Sequence, residues 1–375
     1  MTMRPNKAKS IIENLLAKGG IQINGDNPWD IQVHNEKLFG RMLAEGSLGF
    51  GEAYMDGWWD VEQLDEFFYK LYKFNLRDEV GGTWKEALIL LQSKVLNMQT
   101  RLRSKKVARE HYDLGNDLYM SFLDPYNQYT CGYFKDTEDL NVAQEQKLEL
   151  ICKKLQLSEK DRVLDIGCGW GGFAKYAAGR YGCQVTGITI SDQQYQYAKE
   201  DCAGLPVTIL KKDYRDLEGT FDKVLICGMI EHVGYKNYRQ IMEIVYRCLE
   251  DDGLFLLHTI GSNTSEIYGD PWVLKYIFPN SMLPSVKQIA TASEGLFVME
   301  DWHNFGPYYV KTLKAWFHNF DASWEKLSAS YDERFYRMWK YYLHCFMGPF
   351  RTRVIQLWQV VLSKGGVPGG YIAAR

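Results

Sequence analysis

From about residue 106 onward, short uninterrupted apolar runs alternate with stretches of helical spacing: RVLDIG, QVTGITI, PVTIL, KVLICG and LFLLHTI. Runs of this kind, apolar on both faces and separated by enough chain to cross over, mark parallel strands covered by helices on both sides. FVMEDW at 297–302 and IQLWQVVLS at 355–363 add two more strands. The pattern predicts an α/β domain with a seven-stranded, mostly parallel sheet that ends in an antiparallel strand. The Gly-rich tail after Ser363 is expected to be loosely held.

The first ninety or so residues follow a different pattern, that of a small mixed unit. Ile11–Leu16 has helical periodicity; IQI, the turn NGDNP and IQV predict a short hairpin; Glu36–Leu43 and Val61–Phe74 are helical in spacing. Between those two helices lies GSLGFGEAYMDGWW. Then Trp84, Leu88, Leu91, Val95, Met98 and Leu102 form a helical stripe that runs into Arg101, Arg103, Lys105, Lys106 and Arg109. The stripe suits a connecting helix packed on a domain or on a second copy of the chain (a homodimer); the alternative, which does not exclude it, is an interfacial helix with a basic anchor for anionic lipid headgroups. The expected division is residues 1–90 as a small N-terminal domain, 91–105 as the connection, and 106–375 as the catalytic domain.

Composition narrows the function. A formal charge of −3 gives no reason to expect nucleic acid as a partner. The 8 cysteines include no Cys-x-x-Cys pair, which suits neither a metal site nor a disulfide framework and fits a reducing cytoplasm. No secretory signal opens the chain, and no apolar run reaches the roughly 18 residues of a membrane span. Any membrane contact is therefore expected to be peripheral. The aromatic residues, 25 Tyr, 18 Phe and 11 Trp, suit a well-packed interior or a long pocket for an apolar chain.

The first strand of the sheet ends in Asp165-Ile166-Gly167-Cys168-Gly169-Trp170-Gly171-Gly172. Gly167, Gly169 and Gly172 fit the dinucleotide pattern G-x-G-x-x-G; Asp165 with Gly167, Gly169 and Gly171 fits D-x-G-x-G-x-G, the first motif of class I methyltransferases. A nicotinamide enzyme needs a carboxylate at the end of the next strand, where this chain has Thr189 and Ser191. The acidic residue before the first glycine, and Asp213 after the third strand, favour S-adenosylmethionine.

Eleven motifs in order resemble those of the bacterial cyclopropane-fatty-acyl-phospholipid synthases, relatives of the mycolic acid cyclopropane synthases: GSLGFGEAYMDGWW, EHYDLGNDLY, YTCGYF, VLDIGCGWGG, GITIS, DYRD, MIEHVG, LLHTIG, DPWVLKYIFPN, EDWHNFG and IQLWQVV. The resemblance covers almost the whole chain, including the N-terminal unit that the mycolic acid enzymes lack. It implies a class I, Rossmann-like methyltransferase that adds a methylene to the cis double bond of an unsaturated phospholipid in a bilayer, at the inner face of the membrane. It implies S-adenosylmethionine contacts at Tyr129, Thr130, Gly167, Cys168, Gly169, Trp170, Gly171, Thr189, Ile190, Gln194 and Tyr214. It also implies a bicarbonate ion held by Cys131, Glu231, His258, the backbone of Ile260, and Tyr309.

That set makes chemical sense. An alkene is a poor nucleophile, so the reaction depends on a sulfonium methyl and on placement. Attack leaves a carbocation, which aromatic faces stabilise, and ring closure removes a proton from the new methyl. Family members often carry a cysteine shortly before the final strand. Here Cys345 stands one place early, with Phe346 at that position, so Cys345 is not expected to be essential. Two rival functions fit parts of the pattern: an N-methyltransferase for a small amine, and a membrane-surface protein that keeps the fold without catalysis.

Overall fold

The structure, a computed structural model, describes residues 5–76, 99 and 115–375; the stripe from Trp84 to Leu102, Gln99 aside, and the basic residues beside it lie outside them. Contacts divide the chain into two compact units. One comprises Met1–Asn97, Ile267–Pro279 and Leu313–Ile355; the other comprises Met98–Glu266, Asn280–Thr312 and Gln356–Arg375. A division by chain order would separate the two later segments from the N-terminal part they pack with.

In the first unit, the expected hairpin does not form. Ile23 and Ile31 make an isolated parallel bridge, while β1 (Gln32–Val33) pairs antiparallel with β2 (Trp59–Asp60). The cause is Asp30, which is buried and accepts the backbone N–H groups of Gln22 at 2.7 Å and Asn27 at 2.9 Å. Those bonds close the segment into a loop about a carboxylate, which competes with a ladder. The helix predicted to begin at Glu36 continues through the glycine-rich motif and spans Lys37–Met55, with a kink at Gly46. Gly51 is required there by close approach: a Cβ would stand 2.4 Å from the Trp272 indole. The core of this unit is aromatic, with Phe50 stacked on the buried Trp59 at 4.3 Å, Tyr54 and Phe67 tilted against that indole and Tyr341 edge-on to it.

The second unit holds the predicted sheet. Its strands are β3 (Arg162–Ile166), β4 (Gln184–Thr189), β5 (Val207–Lys211), β6 (Phe221–Cys227), β7 (Leu249–Ser262), β8 (Val298–Asn304) and β9 (Ile355–Ser363). Their order is β5-β4-β3-β6-β7-β9-β8, with β3 to β7 parallel and β8 antiparallel to β9. Alternate residues serve opposite faces, as pleating requires. Val224, Ile226, Phe255 and Leu257 enter one apolar cluster with the helix Tyr238–Cys248. Leu225, Leu254 and Leu256 enter the other, with helices Leu140–Lys154 and Gly172–Tyr181. Burial on both faces is what makes the strands read as continuous apolar runs.

The tail after Ser363 is held, contrary to expectation. Arg375 donates to the Asp301 carboxylate at 2.8 Å, and the Tyr371 hydroxyl donates to the Lys154 carbonyl at 2.7 Å. Val367 and Tyr371 pack on the sheet cluster. Asp301 is buried and already bears the buried Lys154 ammonium at 3.0 Å, so the tail's arginine completes a three-member ion group.

Candidate active site

The glycine loop joins β3 to the helix Gly172–Tyr181. Gly167, Gly169 and Gly171 all have positive φ, at 84°, 55° and 84°. Only open space lies within 4 Å of a Cβ built on Gly169, whereas one on Gly172 would stand 1.8 Å from the Tyr126 carbonyl. The loop is thus free on one side and pressed against the 126–128 segment on the other. The next strand ends in a buried pair, the Thr189 hydroxyl and Gln194 Oε1 at 2.9 Å, while Ser191 caps the following helix by accepting from Gln194 N–H. Ile190 lies half-buried between them, and Cys168 is buried inside the loop. Tyr214 is buried over the Arg215 guanidinium, and its hydroxyl has no hydrogen-bond partner among the described residues.

Buried polar groups shape the segment that carries Tyr129, Thr130 and Cys131. Asp124 accepts the N–H groups of Tyr126 and Gln128, each at 2.8 Å. Gln144 donates to the Thr130 carbonyl at 2.8 Å, and the Lys147 ammonium donates to the Thr130 hydroxyl at 2.9 Å and to Gln128 Oε1. Gln144 and Lys147 have no solvent exposure. Tyr129 meets Tyr119 edge-on at 5.2 Å; Tyr119 in turn faces Trp170, whose indole N–H donates to Asn116 at 2.9 Å. The Cys131 thiol is fully buried beside the Thr312 hydroxyl at 3.7 Å, and burial pushes its pKa up. It is a neutral thiol.

The remaining candidates gather at the carboxyl ends of β6 and β7, where ligands bind in open α/β sheets. Cys227 and His258 are register partners, and Gly228 N–H donates to the His258 carbonyl at 2.9 Å. A Cβ on Gly228 would stand 2.7 Å from the Thr130 methyl, which brings the Tyr129–Cys131 segment over the same strand ends. Glu231 is buried; its Oε1 accepts the Ile260 N–H at 2.8 Å and its Oε2 has no partner among the described residues. Burial raises its pKa to about 7, against the pull of the Ile260 N–H and the Thr259 hydroxyl. The Ile260 N–H therefore holds Glu231. His258 is also buried, with Nδ1 at 3.3 Å from the Gln359 side-chain nitrogen and Nε2 without a partner among the described residues. Burial first, then the Lys147 and Lys154 charges, hold its pKa well below the histidine range. Tyr309 is buried in the first turn of the helix Tyr308–Ala322, three residues before the Thr312 that meets Cys131.

Glu231 and Ile260 are thus bonded to each other, Thr130 and His258 both adjoin Gly228, and Cys131 and Tyr309 are connected through Thr312 and its helix. Sequence reading missed Gln144, Lys147 and Gln359. Two signals were present: Lys147 falls on the apolar stripe of its helix with Leu140, Ala143 and Ile151, and Gln359 interrupts an apolar strand. Cys345 belongs to the other unit, with its thiol donating to the Tyr342 carbonyl of its own helix at 3.3 Å.

Residues 99–360 match the family model of the mycolic acid cyclopropane synthetases. The chain is 52% identical over 365 residues to the cyclopropane-fatty-acyl-phospholipid synthase of Escherichia coli, spanning 97% of this chain and 95% of that one. It is 36% identical over 286 residues to sphingolipid C9-methyltransferase A of Emericella nidulans, spanning 72% of this chain and 55% of that one. A mycolic acid cyclopropane synthase solved with SAH and CTAB superposes with a TM-score of 0.65 at 29% identity, over 69% of this chain and 98% of that one. A coclaurine N-methyltransferase, 21% identical with a TM-score of 0.69 over 84% of this chain and 98% of that one, shares the fold. Sheet order, glycine loop and these likenesses define an enzyme of the class I S-adenosylmethionine-dependent methyltransferases. Within that class, the chain belongs to the mycolic acid cyclopropane synthetase family.

Proposed function

We propose that the protein converts the cis double bond of an unsaturated phospholipid acyl chain into a cyclopropane ring; its Escherichia coli relative is named a cyclopropane-fatty-acyl-phospholipid synthase. The observation that carries the chemistry is a pair of buried atoms without partners among the described residues, Glu231 Oε2 and His258 Nε2, on residues at the carboxyl ends of the neighbouring strands β6 and β7. Buried polar atoms without partners are costly and point to a ligand. S-adenosylmethionine supplies the electrophilic methyl when bound, and a bicarbonate ion supplies a proton acceptor. The glycine loop, open at Gly169, and the Thr189–Gln194 pair would hold the first, with Tyr129, Thr130, Cys168, Trp170, Ile190 and Tyr214 around it. Glu231, His258, Tyr309, the Cys131 thiol and the backbone at Ile260 would hold the second, so that a proton leaving the new methyl is received in a dry site.

The domain assignment follows the same reading: catalysis in 106–375, with 1–90 and the connection 91–105 presenting the enzyme to the cytoplasmic membrane face, as a monomer or a homodimer. Among the described residues no helix is long and apolar enough to cross a membrane, which suits a peripheral contact. The test is incubation with vesicles of unsaturated phospholipid and S-adenosylmethionine, followed by mass and proton spectra of the acyl chains. Upfield cyclopropane protons support the proposal; a methyl-branched or unmodified chain overturns it.

A further inference from the structure

Gln359 lies in the middle of the last strand, IQLWQVVLS, and has no solvent exposure. A primary amide in such a place loses its hydration and must be repaid by hydrogen bonds. Its contact is with His258: the amide nitrogen stands 3.3 Å from Nδ1, while Gln359 Oε1 has no partner among the described residues. The opposite orientation would turn the amide oxygen to Nδ1 and leave an NH2 with two donors unpaired. Buried donors are left alone more rarely than buried acceptors, which favours the arrangement with nitrogen toward the ring.

In a neutral imidazole one nitrogen donates and the other accepts, so the group at Nδ1 determines what Nε2 presents. A donor at Nδ1 requires Nδ1 to accept and places the proton on Nε2, the buried ring atom left without a partner among the described residues. We propose that Gln359 is a positioning residue that fixes His258 as the Nε2–H tautomer, making the imidazole a stationary hydrogen-bond donor and leaving Glu231 Oε2 as the acceptor end of the site. This rests on the placement of Glu231 and His258 in the proton-handling site. It divides their labour: His258 holds the negative oxygen of an anion such as bicarbonate, and Glu231 receives the hydroxyl proton side. An amide suits the task better than the carboxylate that often backs a histidine, because a carboxylate would draw a proton onto Nδ1 and expose a lone pair at Nε2.

The test uses full-length protein labelled with 15N-histidine, whose 7 histidines are read in long-range proton–nitrogen correlation spectra; the His258 signals are identified by their loss in His258→Asn. The wild-type protein should give the Nε2–H pattern at His258. Gln359→Glu should shift it to Nδ1–H or to imidazolium. Gln359→Met, of similar volume and apolar, keeps the fold and should give a mixture. Both variants should lose about tenfold to hundredfold in kcat, with KM for S-adenosylmethionine unchanged. An Nδ1–H pattern in the wild type, or an unchanged tautomer in both variants, overturns the inference. Full turnover by His258→Asn overturns the site placement beneath it, whatever the spectra show.

Discussion

Lys147 and Lys154 stand about two turns apart on the same helix, both without solvent exposure, and differ in what receives their charge. Lys154 meets a carboxylate, Asp301, which Arg375 also grips; burial lowers the lysine pKa to about 8 while the carboxylate draws it back up. Lys147 donates to a hydroxyl and an amide oxygen, Thr130 and Gln128. Burial lowers its pKa too, and the Asp124 and Asp165 carboxylates act on it from a distance. A buried cation with a bonded carboxylate is largely offset where it stands and serves to tie elements together, and the reach of Lys154 to His258 ranks behind that of Lys147. One bonded only to neutral oxygens keeps its field available, and Lys147 projects it onto the segment of Thr130 and Cys131, onto Asp165 and onto His258. The first arrangement is structural; the second belongs to the site.

The comparison extends to the unpartnered atoms, where the largest effect is expected. Glu231→Gln should bind S-adenosylmethionine normally and lose about 10²–10⁴-fold in turnover. The same variant carries a pH signature. Because burial raises the Glu231 pKa to about 7, its contribution to stability is complete below the unfolded carboxyl range and is lost as pH rises through 7. The glutamine variant should therefore gain thermal stability relative to wild type at pH 8, and the gap should close toward pH 5. Parallel melting curves at both pH values would contradict this.

Lys154→Met should come next, destabilising the protein by about 3 kcal/mol, because it leaves the buried Asp301 with Arg375 alone. Activity per folded molecule should be unchanged. Lys147→Met should do the reverse: a smaller fall in melting temperature, because a desolvated charge is removed along with its bonds, but about tenfold to hundredfold weaker binding of S-adenosylmethionine by calorimetry. If the two variants behave alike in both assays, the distinction between the lysines fails. The smallest effect is expected at Cys345→Ser, whose thiol serves the carbonyl one turn back; turnover indistinguishable from wild type is the outcome, and a loss like that of Glu231→Gln would overturn it.

The sheet was legible because its strands are buried on both faces, so that Leu225 and Val224 serve opposite clusters and neither can be polar. The glycine loop was legible because positive φ at Gly167, Gly169 and Gly171 favours glycine at those positions. What escaped depended on one particular partner. Asp30 turned a predicted hairpin into a loop, and Asp301 fixed a tail whose composition reads as loose. Gln359 is a polar letter in a mostly apolar strand, and its meaning lies in His258, about a hundred residues earlier in the chain. The helical extension through GSLGFGEAYM escaped for a related reason: glycine disfavours helix on average, and only the Trp272 ring explains why Gly51 is worth that cost.

The sheet order has a consequence for how the chain is made. β9 lies between β7 and β8, so β8 leaves the ribosome about fifty residues before the neighbour that admits it to the sheet. Until then β7 has a raw edge, β8 has no place, and the His258 ring has no amide behind it. The cofactor loop, built entirely from β3, β4 and the helices after them, is complete much earlier in synthesis. A nascent chain therefore passes through a stage that has the glycine loop but no amide behind His258, and sheet closure waits on the insertion of one late strand between β7 and β8.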